Sequence, residues 1–373
     1  MNHILNYLRW RGDLSFEKSG LNEVDRLVLA YASYAELAHY KGPDSLTEPA
    51  PVKQVALEYR KKKHHYKLAH PEWNEHKAFV LADRVFAEMS RTERFGEIEV
   101  SDYEQRIDPE TTEQFAAECF KLPGGLRYVS FSGTDETVIG WLEDFDMSYR
   151  APVPAQQHSE EYLLRLLEKY PEDTFLIGGH SKGGNLAIYA AARAAEHGLD
   201  GAILGIDAFD SPGFLHPFLG SDGFRKIHDR IHAYIPEGSV VGLLLFRDWE
   251  LNIVKNRARN IGTQHACGGW ETMGTEFVRA DSLNENTVSI GISVQETVNR
   301  MSPEELKHMC DRIAAILEES GIRTVPDFST KSGKLMQLAL HEYHESDSEE
   351  RSRIGKVLTT MIKIYNDSKS EKI

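Results

Sequence analysis

The stretch Thr174–Phe175–Leu176–Ile177–Gly178–Gly179–His180–Ser181–Lys182–Gly183–Gly184–Asn185–Leu186 decides the fold. It opens on a short apolar run, passes through G-x-S-x-G, and continues into an alanine-rich segment, Gly184–His197, that reads as a helix. A serine between strand and helix sits on a sharp, strained turn that lifts its hydroxyl above the sheet, so its neighbours must be small. Gly179 and Gly183 have no Cβ to clash. The helix beyond aims free N–H groups and the positive end of its dipole at any oxygen reacting there. A phosphate-binding turn is the other reading of such a junction, but no G-x-x-x-x-G-K-[ST] or G-x-G-x-x-G run occurs here. Ser181 is therefore the expected nucleophile.

Outward from this turn, strands and helices alternate. Gln114–Leu122 and Leu126–Phe131 flank Pro123–Gly124–Gly125 and read as a hairpin, with Glu97–Tyr103 as a further short strand. His158–Tyr170 reads as an amphipathic helix. Beyond the elbow come Ala202–Ile206, a helix-like stretch near Phe224–His228, then Ile231–Ile235 and Leu251–Val254. This order implies right-handed crossovers and a mostly parallel central sheet, hence an α/β fold. Helical stripes over 22–40 and 74–94, joined by a charged, proline-containing connection, make the first 95 residues a helical region packed on the core. The core is expected over 96–275. A helical C-terminal region covers 276–373, with helices at Ser302–Glu319, Gly333–Glu342 and Ser348–Asn366.

A serine needs a base and an acid to orient it. Elbows of this kind run nucleophile, acid, histidine along the chain. That order selects His265, in the glycine-marked loop Gly262–Thr263–Gln264–His265–Ala266–Cys267–Gly268–Gly269–Trp270 directly after Leu251–Val254. His180 sits within the elbow, and His216, His228 and His232 precede the last strand. Asp210, in Ala208–Phe209–Asp210–Ser211–Pro212–Gly213–Phe214, lies at the carboxyl edge of the sheet and is the expected acid. Glu237, in Ile235–Pro236–Glu237–Gly238–Ser239, and Asp207, at the end of its strand, are the alternatives. The oxyanion hole is assigned to the backbone N–H of Lys182 and to Thr134 in Phe131–Ser132–Gly133–Thr134–Asp135, through its N–H and its hydroxyl. The Lys182 side chain reads as a surface charge.

Composition narrows the partners. In 373 residues, 43 Lys and Arg stand against 58 Asp and Glu, for a net charge of −15. Such a chain repels nucleic acid and anionic lipid unless basic residues are segregated. Arg60–Lys61–Lys62–Lys63, followed by His64 and His65, is short and reads as a solvated helix face, so no nucleic-acid partner is expected. The three cysteines, Cys119, Cys267 and Cys310, form no C-x-x-C pair and read as reduced thiols. The first residues lack the apolar core of a secretory signal, and no run approaches the roughly 18 apolar residues of a membrane span. A cytoplasmic protein without an integral membrane segment is expected. His341–Glu342–Tyr343–His344 and His64–His65 lack H-E-x-x-H spacing, so neither metal nor cofactor is expected. Phe214, Leu215, Phe218, Leu219 and Phe224 give segment 211–228 an apolar side, which suits core packing or, less simply, a lid.

Taken together, Tyr128–Val129–Ser130–Phe131–Ser132–Gly133–Thr134, Trp141 with Asp144, Gly179–His180–Ser181–Lys182–Gly183 and Phe209–Asp210–Ser211–Pro212 resemble class 3 (fungal-type) lipases, which carry F-R-G-[ST], W-x-x-D, G-H-S-x-G and F-G-x-P in that order. The whole chain is more similar to a bacterial family of lipase-like α/β-hydrolases. Shared blocks are Leu8–Arg9–Trp10–Arg11–Gly12–Asp13–Leu14–Ser15–Phe16, Gly140–Trp141–Leu142–Glu143–Asp144–Phe145, the elbow, and Gln264–His265 followed by Trp270. The resemblance implies an α/β-hydrolase fold, Ser181 as nucleophile, Thr134 in the oxyanion hole and His265 as base. Two positions depart from the pattern. Ser132 replaces the usual Arg, and Ser239–Val240–Val241–Gly242 stands where class 3 lipases place the acid in D-x-V-P. The expected function is hydrolysis of a carboxylic ester, on a small acyl ester or lipid-like substrate, through a Ser-His-Asp triad and an acyl-enzyme. A thioesterase or acyltransferase on the same triad, or a catalytically silent scaffold, are the rivals.

Overall fold

The computed structural model describes residues 3–35, 37, 44–45, 48–69, 77–135, 137–259, 261–322 and 337–338. Its central sheet grows from the expected hairpin. β1 (Asp44–Ser45) and β2 (Ala50–Pro51) both pair with β3 (Glu99–Asp108), which continues antiparallel into β4 (Glu113–Leu122) and β5 (Leu126–Phe131). From β5 onward every pairing is parallel, through β6 (Thr174–His180), β7 (Ile203–Phe209), β8 (Ile231–Pro236) and β9 (Leu251–Val254). The site lies in this parallel half, and the architecture is the α/β-hydrolase fold that the sequence implied.

Each face of the sheet carries its own helices. On one side α1 (Ile4–Arg11), α2 (Glu23–Ala32), α3 (Val52–Ala69) and α4 (Lys77–Met89) share an apolar core with Val100, Phe120, Tyr128, Phe209 and Tyr234. The polar anchor of this layer is Asp25. Its carboxylate takes two hydrogen bonds from the Arg94 guanidinium, at 2.8 and 2.5 Å, and one from the Tyr7 hydroxyl at 2.6 Å, all fully buried. On the other side, α5 (Val138–Asp146), α6 (Pro154–Lys169) and α7 (Lys182–Glu196) fill the crossovers, and α6 and α7 share a second core with Phe115, Val129 and Ile177. Beyond them α8 (Glu285–Arg300) and α9 (Pro303–Ser320) follow, and Ile313, Ile316 and Leu317 of α9 pack against Val138, Trp141 and Phe145 of α5. No described helix is long and apolar enough to cross a membrane.

Several elements differ from expectation. The helix foreseen over 22–40 stops at Ala32, where the chain tightens into turns at Tyr34 and Ala35. The connection foreseen before residue 74 is largely α3: Val52, Val55, Ala56, Tyr59 and Lys63 recur at helical spacing and are buried. Lys63 is thus no solvated side chain; it pairs with Asp83 and donates to the Tyr59 hydroxyl, while Arg60, Lys61 and Lys62 are exposed. Phe214 and Phe224 of segment 211–228 are buried in the second core. The helices foreseen at Gly333–Glu342 and Ser348–Asn366, and the His341–His344 cluster, lie outside the described residues except for 337–338, which are helical.

One charged cluster ties α6 to the hairpin. His158 bonds Glu104 at 2.7 Å through Nε2 and Glu113 at 2.9 Å through Nδ1, stacked on the Phe115 ring. Burial opposes a charge on His158, but the two carboxylates outweigh it and raise its pKa to about 9. Burial likewise pushes the Glu104 carboxyl up, and His158 and Arg165 reverse this, holding it down to about 2. The histidine's contribution to stability is complete below its ordinary pKa of 6.5 and is lost as pH rises through about 9. Thermal melts of the wild type are therefore expected to weaken from neutral pH to above pH 9 by about 1–2 kcal/mol, and His158→Gln should flatten that slope.

Candidate active site

Ser181 occupies the turn between β6 and α7 with φ 59° and ψ −134°, a conformation that a non-glycine residue holds only when its surroundings enforce it. The enforcement is close packing around two glycines. A Cβ on Gly179 would stand 2.3 Å from the carbonyl carbon of Gly183, and one on Gly183 would stand 2.1 Å from the Phe131 carbonyl oxygen. The Ser181 N–H donates to the Phe209 carbonyl at 2.9 Å, tying the turn to the end of β7. Ser181 itself is 9% exposed.

Asp210 follows β7 directly, also with positive φ, 47°. Its carboxylate is fully buried and held from two sides. Oδ1 accepts the Gly242 N–H at 2.9 Å, and Oδ2 lies 2.7 Å from Nδ1 of His265. The segment Ser239–Gly242, which carries the acid in the resembled pattern, here supplies a main-chain donor to an acid one strand earlier. Because Nδ1–H donates to the carboxylate, Nε2 is left as the lone-pair nitrogen. Neither Nε2 nor the Ser181 hydroxyl is bonded to another group among the described residues. The two alternative acids lie elsewhere. Glu237 accepts the Asn256 N–H at 3.3 Å. Asp207 faces α2, 3.3 Å from Arg26, with burial raising its carboxyl to about 7 against the pull of that guanidinium.

The loop bearing His265 is anchored through Gln264. The Gln264 carbonyl accepts from Asn256 Nδ2 at 2.6 Å, and its side-chain oxygen accepts the Gly238 N–H at 3.3 Å. The His265 carbonyl lies 2.9 Å from His180 Nε2, and the two imidazoles stack with centroids 4.4 Å apart. A nitrogen facing a carbonyl must carry its proton, so Nδ1 of a neutral His180 accepts, and the Tyr34 hydroxyl stands 2.9 Å from it. Burial, and after it the neighbouring His265, hold the His180 pKa well below its ordinary value. The chain Tyr34–His180–His265 thus runs from the end of α2 to the backbone of His265, and the sequence reading missed Tyr34 because nothing local links residues 146 positions apart.

Lys182 is a correction. Its side chain is fully buried, donating to the Gln114 carbonyl at 2.6 Å, to the Gln114 side-chain oxygen at 2.8 Å and to Glu143 at 2.7 Å. Glu143 also accepts the Gln114 and Ala155 N–H groups. The cation therefore clamps the first turn of α7 to α5 rather than meeting solvent. Both partners lie inside blocks already singled out, the elbow and Gly140–Phe145, and that coincidence was the available signal. The backbone N–H of Lys182 belongs to the first turn of a helix, which has no intrahelical acceptor. Thr134 donates its hydroxyl proton to Asp144 Oδ2 at 2.7 Å, so of the two donors expected of it only the backbone N–H is left. Burial pushes the Asp144 carboxyl up to about 6 despite the Lys182 charge and the Thr134 bond. Among the described residues no group of His, Cys, Asp and Glu is placed to hold a metal ion.

Residues 89–315 match a family model described as Mbeg1-like. Among solved structures the chain is similar to the M37 lipase, at 17% identity over 60% of this chain and 70% of that one, with a TM-score of 0.36. The Rhizomucor miehei lipase in its propeptide complex is 11% identical over 77% of this chain and 80% of that one, with a TM-score of 0.37. The Lip2 lipase from Yarrowia lipolytica is 12% identical over 71% and 90%, with a TM-score of 0.35. No curated protein matches the sequence.

Proposed function

The chain belongs to the Mbeg1-like family, and on that footing and the geometry at Ser181 we propose that it is a serine hydrolase cleaving a carboxylic ester of a lipid-like acyl substrate. The observation that carries the reading is the strained Ser181 together with a histidine, stacked on the neighbouring His180, whose Nδ1 is held by a buried carboxylate. Ser181 Oγ attacks the ester carbonyl carbon while its proton passes to His265 Nε2. The carbonyl oxygen, now carrying the charge, takes hydrogen bonds from the Lys182 and Thr134 N–H groups. Collapse breaks the bond to the alkoxy oxygen, which receives the proton from His265 and leaves as the alcohol. Water then gives its proton to His265, attacks the acyl carbon and releases the acid, returning the proton to Ser181. Throughout, Asp210 stays ionised and steadies the imidazolium.

A fluorophosphonate probe tests the reading with no substrate assumed. The expected result is stoichiometric modification of the folded protein, with the label on the peptide that contains Ser181. A folded protein that takes up no label, or takes it elsewhere, would favour the silent scaffold.

A further inference from the structure

Between α3 and α4, at the outer surface of the N-terminal layer, runs a groove of about 790 Å³. One wall is a single helix face: Leu57, Arg60, Lys61 and His64 recur at i, i+3, i+4 and i+7 along α3. The facing wall presents Arg84 and Arg91, two turns apart on α4. All six are exposed, and Leu57, although apolar, keeps 55% of its surface in solvent. Among the described residues, the carboxylates that line the groove are already engaged. Asp83 is held by Lys63 and the Tyr59 hydroxyl, and Glu88 by Arg9 and Arg91, each at 3.1 Å. Among the described residues, Arg60, Lys61 and Arg84 therefore add positive charge that no groove carboxylate cancels. On a chain of net charge −15, this is the segregated basic surface without which an anionic interface would repel it. An exposed leucine among arginines and a lysine is what the boundary between lipid headgroups and acyl chains accommodates.

The groove also has a fixed relation to the site. Leu81, one turn before Arg84 on α4, packs against the loop carrying His265: its Cδ2 lies 3.1 Å from where a Cβ on Gly268 would stand.

We propose that this groove docks the protein on an anionic phospholipid surface, with lipid phosphates between Arg60, Lys61 and Arg84 and Leu57 set into the acyl boundary. The proposal is independent of the Ser181 chemistry, because docking is read without turnover.

The test is co-sedimentation of the full chain with vesicles of equal phosphatidylglycerol and phosphatidylcholine, and with vesicles of phosphatidylcholine alone. Binding is expected to the first and not to the second, and to fall with added salt. The R60E/K61E/R84E variant, shown to be folded by circular dichroism, should bind at least tenfold more weakly, and Leu57→Ser should weaken binding severalfold. Equal binding to both vesicles, or a folded triple variant that binds like wild type, would overturn the proposal. So would complete competition by millimolar inorganic phosphate, which would make the groove a free-anion pocket. Tighter binding to single-stranded RNA or duplex DNA than to the anionic vesicles would likewise refute it.

Discussion

Ser181→Ala is expected to lower kcat/KM for carboxylic esters by about 10⁴- to 10⁶-fold while leaving the fold intact. The hydroxyl carries the bond-making step, and alanine fits the same turn with one atom fewer. His265→Ala should cost a similar factor, and the double variant hardly more than either, because the two groups act as one unit. Asp210→Asn is the sharper test of the acid. Oδ1 of Asp210 already accepts the Gly242 N–H, so an asparagine at this position would keep its carbonyl there and turn its NH₂ towards His265 Nδ1. Nδ1 would then have to accept, the proton would move to Nε2, and the base would be blocked at its working nitrogen. A loss of about 10⁴-fold in kcat with unchanged stability is the expected outcome. An ester panel of varied acyl length, run on wild type and all four variants, measures each factor; full activity in Ser181→Ala would end the hydrolase reading.

Lys182→Met is expected to destabilise the protein by about 3–5 kcal/mol, read as a shift in the denaturation midpoint. The lysine and Glu143 are both fully buried, so removing the cation leaves a carboxylate without its counter-charge and takes one donor from each of two Gln114 oxygens. The pair is not symmetric. Glu143 also accepts the Gln114 and Ala155 N–H groups, so Glu143→Leu strands two backbone donors and leaves a buried cation without its counter-charge, and should be the worse of the two single changes. Lys182→Met combined with Glu143→Gln should recover at least 1 kcal/mol relative to the sum of the singles, because the neutral amide no longer needs a cation. A Lys182→Met protein as stable as wild type would mean that the clamp contributes nothing.

The parallel half of the sheet was legible because each of its strands is a short apolar run next to a turn or a helix, and the elbow announces itself by residue type alone. The antiparallel edge was half legible. Glu97–Tyr103 reads as seven residues, yet β3 reaches Asp108, because its partner β4 continues the ladder beyond what alternation in one strand reveals. The residues that hold the site were the least visible. His265 and Asp210 come from loops 55 positions apart, and their pairing was weighed from chain order rather than from any local pattern. Lys182 was misread because a lysine beside a serine carries no sign of burial until Glu143 is brought up from 39 positions earlier. Local periodicity fixes which face a helix turns inward, but not which far segment waits there.

The bridge from Tyr34 through His180 to the backbone of His265 bears on any attempt to shorten this chain. A trimmed version beginning at the first long strand would keep every group of the proposed site, and a choice based on motif boundaries alone would start there. It would nevertheless discard the phenol that seats His180, uncover one whole side of the sheet and leave the imidazole's loop resting on an unseated ring. The helices ahead of the first long strand are therefore part of the frame that seats His265, and a version of this molecule that keeps the proposed site includes them.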